Sequence, residues 1–350
     1  MAIRRQSHQV TIKDIATRLQ MNHSTVSRAL NDRSHISEET RRRVREMANE
    51  LGYVANLSAR MIRGDAGLLI GLLIPDVQND FYSRISKELA DRCRRVGLRM
   101  LLAISEDDPF TEQNEIRALA EARVNGVIAT LTSQPQPASL AMLKEMPTVQ
   151  LVRHVKNFKK AAVCMEDQAG CETATEHLLA LGHRRVAYIG TTEAISSGHD
   201  RVRGFLNAHK VRKISPLAGG VELVPPRQSY GYDGVARLLS LKQRPTALVI
   251  GSSELTIGAL SALRKAGLLI PNDISVVGYG DPVWFELLSP ALTAVKLPVA
   301  TLAHTAAQQL FAQIEDRKAG KASKSGMTRI MPELIVREST APIKKSRVAP

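Results

Sequence analysis

Seven consecutive residues without a polar side chain, Leu68-Leu-Ile-Gly-Leu-Leu-Ile74, set the strongest limit on what this chain can fold into. A strand with one wet face alternates polar and apolar side chains, whereas a run without alternation belongs to a strand covered on both faces. Comparable short runs lie at 98–104, 126–131, 148–152, 185–189, 247–250 and 274–278. Between them, residues 81–97, 112–121, 171–181 and 257–266 carry helical periodicity. Strands and helices alternating in this way predict parallel sheets with helices on both faces.

The pattern differs before residue 67. Val10-Thr-Ile-Lys-Asp-Ile-Ala16 opens a short helix, with Thr11 at the N-cap and acidic Asp14 three residues on, near the positive helix end. Ile12, Ile15, Ala16 and Leu19 share one face. Leu19-Gln-Met21 turns the chain, Asn22 caps a second helix, and Val26, Ala29 and Leu30 keep the spacing that faces a core. His23, Ser24, Ser27 and Arg28 point elsewhere. Short hydrogen-bonding side chains plus an Arg at a helix start suit base edges and phosphates in a major groove. Ser37 caps a third helix, 38–51, which turns Val44, Met47, Ala48 and Leu51 inward and most of Arg41-Arg42-Arg43 and Arg45 outward, with Gly52 as its stop. This is helix-turn-helix order. Taken alone, a polar helix face is usually only solvated surface.

At 350 residues the chain exceeds one average domain and suits a small N-terminal module followed by a core of roughly two lobes. The formal net charge is +14, and residues 1–66 hold twelve Lys/Arg against seven Asp/Glu. A polyanionic partner is therefore supported but not located, because most of the excess lies beyond residue 66. No apolar run approaches the roughly twenty residues of a membrane span, and Met-Ala-Ile-Arg-Arg-Gln at the start lacks a hydrophobic signal core, so a cytoplasmic protein without membrane partners is expected. Cys93, Cys164 and Cys171 show no Cys-x-x-Cys spacing, which favours buried free thiols over disulfides or zinc. Residues 1–9 and 341–350 read as unstructured tails.

Thr25-Val-Ser-Arg-Ala-Leu-Asn31, Ile36-Ser-Glu-Glu-Thr-Arg-Arg-Arg-Val44 and Glu50-Leu-Gly-Tyr-Val-Ala-Asn56 resemble the lac repressor family of bacterial transcription regulators. Glu176-His-Leu-Leu-Ala-Leu-Gly-His183, Arg201-x-x-Gly-Phe205, Pro271-x-Asp-Ile-Ser-Val-Val-Gly-Tyr279, Ser289-Pro-Ala-Leu-Thr293 and Pro332-Glu-Leu-Ile-Val-Arg-Glu-Ser339 extend the resemblance along the chain. It implies a small all-α helix-turn-helix headpiece (10–55), a hinge helix (56–66), and an α/β core (67–340) of two doubly wound parallel-sheet lobes like periplasmic sugar-binding proteins. Lobe one would comprise about 67–166 and 298–329, and lobe two about 167–297 and 330–340, with crossovers near Glu166, Pro298 and Ile330. It further implies a homodimer on a pseudo-palindromic, double-stranded operator.

In that arrangement Thr11 and the helix start at His23 and Ser24 meet DNA, Arg28 reaches a base or phosphate, and Thr25, Ser27, Asn31, His35 and Tyr53 position the backbone. Asn56, Ala59 and Ile62 fall in the hinge, where Ile62 aligns with the apolar wedge that enters the minor groove. So short a segment orders only when packed, and a plain linker is the alternative. Two departures stand here: Ile62 replaces the usual Leu, and Ala55 the usual Pro.

The resemblance also implies an effector between the lobes, at the carboxyl ends of the strands. Phe81, Tyr82, Asp167, Arg201, Ser252, Asp281 and Trp284 are the candidate contacts. Arg201 suits a ligand hydroxyl or carboxylate. Ser252-Ser253 stands where Asn-Asp is usual and Gly280 where Asp is usual, which points toward a sugar acid or another anionic metabolite beside the neutral sugars. Each candidate has a plainer reading: Arg201 as a structural ion pair, Phe81 and Tyr82 as core, Trp284 as packing. No Gly-x-Gly-x-x-Gly opening a helix, Walker-type loop or His-Glu-x-x-His occurs, so no catalysis, metal or cofactor is expected. A solute-binding protein with an incidental N-terminal extension is the alternative function.

Overall fold

A computed structural model describes residues 10–30, 36–53, 69–322 and 325–343. The chain divides into two units, Met1–Ala66 and Gly67–Pro350.

Among the described residues of the first unit, three helices surround one small core. Helix α1 (Ile12–Leu19) starts where the Asp14 carboxylate accepts from the Thr11 N–H and hydroxyl, both at 2.7 Å, and it ends at Gln20 in the left-handed region. Helix α2 (His23–Leu30) follows Asn22, whose side-chain oxygen accepts from the Ser24 N–H at 3.1 Å. Helix α3 (Glu38–Glu50) is capped by Ser37, which accepts from the Thr40 N–H. Local capping thus sets each start, satisfying amide groups that the helices leave unpaired. Ile15, Ala16, Val26, Ala29, Val44 and Ala48 close the core, with Ile12, Leu19, Leu30, Met47 and Leu51 packed around it.

The second unit contains two six-stranded sheets. In lobe one β1 (Leu69–Ile74), β2 (Arg99–Ile104), β3 (Val127–Ala129), β4 (Thr148–Leu151), β5 (Ala161–Met165) and β11 (Met327–Ile330) stand in the order β11-β5-β4-β3-β1-β2, all parallel. Lobe two arranges β6 (Val186–Gly190), β7 (Val221–Leu223), β8 (Ala247–Ile250), β9 (Ser275–Tyr279), β10 (Thr293–Lys296) and β12 (Glu333–Ile335) as β12-β10-β9-β8-β6-β7. The chain passes between the sheets after β5, between β10 and the helix Val299–Lys318, and between β11 and β12. β1 carries five buried residues of six, as a strand covered on both faces must.

One strand departs from the all-parallel expectation: β12 is antiparallel to β10. The other strands of lobe two end at the crossover side, so a strand that enters directly from it must run the opposite way. Ala341–Ile343 also differ from an unstructured tail. The Ala341 N–H donates to Ser275 Oγ (3.1 Å) and the Ile343 N–H to the Leu181 carbonyl (3.1 Å), strapping the segment to lobe two.

His177 and His183 sit at that strap, bonded to Thr340 (2.9 Å) and to Thr246 (2.9 Å) and the Ala341 carbonyl (3.0 Å), respectively. Burial holds both imidazoles below the usual histidine range. The unfolded chain therefore binds protons that the folded one resists, so their contribution is complete above about pH 6.5 and is lost as the pH falls below it. Urea unfolding should give a lower midpoint at pH 5 than at pH 7.5, by a margin that shrinks in His177→Gln/His183→Gln. A margin unaffected by the double variant would contradict this assignment.

Candidate functional site

In the headpiece, His23, Ser24 and Arg28 are exposed on α2, while Thr25 and Ser27 are half-buried. The capping of α2 by Asn22 leaves the first turn of the helix, with His23 and Ser24, at the surface. Arg42, Arg43 and Arg45 are exposed along α3, and Arg41 is half-buried beside Glu38 at 3.2 Å. Thr11 is exposed, yet its hydroxyl is already engaged by Asp14. Tyr53 packs against the three-helix core, and its N–H donates to the Ala48 carbonyl at 2.8 Å. Asn31, His35, Asn56, Ala59 and Ile62 lie outside the described residues.

Between the lobes of the second unit is a cavity with about 590 Å³ of empty space, part of it open to solvent. Phe81 and Tyr82 line it from lobe one, on the helix Asp80–Arg95, whose start is capped by Asn79 accepting from the Phe81 N–H (3.0 Å). Arg201 and Ser252 line it from lobe two.

Arg201 lies on the helix Ser196–Val211, which packs closely against Asp167–Ala180 at Gly204. A Cβ at Gly204 would run into the Gln168 backbone carbonyl, so the Arg-x-x-Gly spacing joins a close helix contact to the guanidinium one turn earlier. Arg201 Nε donates to Asp167 Oδ1 at 2.7 Å and Nη1 to the Gly251 carbonyl at 2.7 Å, while the Tyr279 ring lies 4.1 Å beneath the guanidinium and its hydroxyl also donates to Asp167 at 2.7 Å. Burial pushes the Asp167 carboxyl above the usual carboxylate range against the pull of Arg201; at Arg201, burial is the largest single influence, and Asp167, Tyr279 and Tyr188 together outweigh it and hold the guanidinium protonated. The Arg of the pair is always charged. Arg201 thus forms the buried ion pair of its plainer reading and also lines the cavity.

Three candidates from the sequence do not reach the cavity in the expected way. Asp167 is absent from the lining and acts from behind Arg201. Asp281 is held bidentate by Arg337 at 2.9 and 3.0 Å and lines a smaller adjoining recess with Asp80, Phe81 and Arg84 instead of the cavity. Trp284 stands edge-on against Phe285, 4.4 Å between ring centres, packs on the lobe-two core, and is not among the residues that line the cavity. Ser252 lines the cavity but also caps the helix Ser253–Lys265, accepting from the Leu255 N–H. That helix begins four residues earlier than its apolar spacing suggests, because the cap and not the periodicity sets its start.

Sequence reasoning missed Arg153. It is buried in the cavity wall, and its Nη1 donates to Asp107 at 2.6 Å and to the Leu131 carbonyl at 3.4 Å. The preceding residue, Val152, has φ 68°, and the Arg153 N–H closes back on the Leu151 carbonyl at 2.7 Å. A β-branched residue in a left-handed tight turn is strained, and such strain is found at functional sites. The signal available was a cationic residue just after a buried strand, at its carboxyl end.

The lobes are linked beside the cavity by the Arg84 guanidinium donating to the Asp281 carbonyl (3.3 Å), the His154 N–H to Ser196 Oγ (3.0 Å), and the Arg329–Asp200 ion pair (2.9 Å). Cys93, Cys164 and Cys171 are buried free thiols that burial pushes up to about 11, 12 and 12, a poor setting for nucleophiles. Among the described residues no cluster of His, Cys, Asp or Glu is arranged to hold a metal ion, and no helix is long and apolar enough to cross a membrane.

A helix-turn-helix headpiece together with a two-lobed, thrice-crossed core around an interlobe cleft defines a transcription regulator with a ligand-binding core. Residues 11–56 match the bacterial regulatory proteins of the lacI family, and residues 175–340 match the periplasmic binding protein-like domain. The repressor PurR of Pectobacterium carotovorum is 30% identical over 336 residues, 95% of this chain and 97% of its own. The regulator DegA of Bacillus subtilis is 29% identical, covering 95% and 98%. A crystal structure of the lac repressor dimer bound to operator and an anti-inducer superposes with a TM-score of 0.83 at 25% identity, covering 95% of this chain and 99% of that one. The chain belongs to the lacI family of bacterial transcriptional regulators.

Proposed function

We propose that the chain is a homodimeric repressor that reads a pseudo-palindromic operator through α2 and is controlled by a small metabolite, a sugar, sugar acid or related compound, in the interlobe cleft. The observation that carries the reading is the exposed group His23, Ser24 and Arg28 on a capped second helix, with the basic face of α3 nearby. His23 and Ser24 contact bases, Arg28 a base or phosphate, and Thr25, Ser27 and Tyr53 the backbone. Thr11, Asn31 and His35 join the backbone contacts, and Asn56, Ala59 and Ile62 belong to the hinge, with Ile62 as its wedge. The operator-bound lac repressor dimer supports both the DNA partner and the pairing of two chains.

Ligand in the cleft alters lobe closure, and with it the bonds Arg84–Asp281, His154–Ser196 and Arg329–Asp200. Closure coupled to operator affinity makes the ligand an effector. Gel-shift titration should show Arg28→Ala weakening a palindromic site about 10- to 100-fold and Thr25→Ala weakening it less. Unaltered affinity in both variants would sink the DNA-reading assignment.

A further inference from the structure

We infer that the cleft takes a compact hydroxylated carboxylic acid, its carboxylate seated between Arg153 and Arg201 with the Tyr82 hydroxyl as a third donor, and that Arg153 is a specificity-determining residue. This rests on the effector reading above and narrows it to one ligand class.

The first ground is the balance of donors and acceptors. No Asp or Glu lines the cavity, while two guanidinium groups do. Asp107 and Asp167 neutralise those groups but stand outside the lining, and Asp281 is taken by Arg337. Because each Arg already has a carboxylate, selection does not come from net charge; it comes from where the remaining N–H groups point. A guanidinium has five N–H donors. Arg153 uses only Nη1, and Arg201 only Nε and Nη1, so Arg153 Nε and Nη2 and Arg201 Nη2 make no hydrogen bond among the described residues. Each hydroxyl of a neutral polyol can accept from these groups but also brings a hydrogen of its own, and the lining holds no carboxylate to take it. A carboxylate only accepts, and pairs with guanidinium in bidentate geometry.

The second ground is a free hydroxyl in the wall. Ser197 lines the cavity at 6% exposure, and its side chain makes no hydrogen bond among the described residues. A ligand hydroxyl would pair with it, so the ligand carries hydroxyls as well as the acid.

The third ground is the backbone. Fixing a charge in the cavity wall by way of a strained Val152 turn is hard to reconcile with a packing role, since burying Arg153 stabilises little by itself. Tyr82 is buried against the same cavity. Its hydroxyl makes no hydrogen bond among the described residues.

Calorimetric titration of the full-length protein with D-gluconate and D-galacturonate, each beside its neutral counterpart D-glucitol or D-galactose, tests the assignment. At least one acid should bind, with its neutral counterpart about 100-fold weaker. Arg153→Gln should weaken the acid about 30- to 100-fold while circular dichroism stays native, and Arg153→Lys should restore part of the loss. If Arg153→Gln does not fold, Arg153→Gln/Asp107→Asn removes the pair without stranding a charge. Equal binding of an acid and its neutral counterpart, or acid binding unaffected at Arg153, overturns the inference and leaves the effector reading standing. Binding of neither class overturns both.

Discussion

Asp167→Ala is expected to lower the unfolding free energy of the two-lobed unit by about 3–5 kcal/mol. Asp167 is 1% exposed, and its Oδ1 accepts from both Arg201 Nε and the Tyr279 hydroxyl at 2.7 Å. Removing the carboxylate leaves a guanidinium at 7% exposure with the Gly251 carbonyl as its remaining protein acceptor. The cost comes chiefly from the stranded charge and not from the intrinsic worth of the pair, since buried ion pairs are close to neutral against apolar replacements. Arg201→Met, which removes the charge and keeps the stem, should therefore cost less than Asp167→Ala. Urea unfolding at pH 7.5 decides it: a loss below about 1 kcal/mol for Asp167→Ala, well short of the stranded-charge cost, would mean that water readily reaches the site.

Ile15→Ala should unfold the headpiece. Ile15 is fully buried at the centre of a core of six buried residues. Truncating a buried Ile costs about 2–5 kcal/mol, and a unit of this size is stable by only a few kcal/mol, at about 0.05–0.15 kcal/mol per residue. The loss is comparable to the whole. In the full-length protein, limited proteolysis should cut within residues 10–53 while the second unit survives, and operator affinity should fall at least about 100-fold, the loss that goes with a largely unfolded headpiece. Ile15→Val, which removes one methylene, should cost about 0.5–1.5 kcal/mol and keep binding. Proteolytic resistance retained in Ile15→Ala would show that the helices are held by something other than this core.

Much of the architecture was legible before any coordinates. The capping residues Thr11, Asn22 and Ser37 and the inward faces of α1 to α3 follow from local chemistry and helical spacing, which act within a few residues. The continuous apolar run of β1 announced a strand covered on both faces. The antiparallel β12 was not legible, because direction depends on which end of the sheet the chain enters from. The cleft was legible in part. Phe81, Tyr82, Arg201 and Ser252 line the cavity, whereas Trp284 turned to Phe285 and Asp281 to Arg337, partners 1 and 56 residues away in sequence.

By itself the sequence determined the order of elements, the helix-turn-helix headpiece and the family, since each rests on neighbours along the chain or on ordered motifs. Tertiary structure alone decided the chemistry of the cleft. Asp107 meets Arg153 across 46 residues and Arg201 meets Asp167 across 34, so which acids are spent behind the wall and which N–H groups remain in front of it depends on how the lobes fold, a separation that no local pattern encodes.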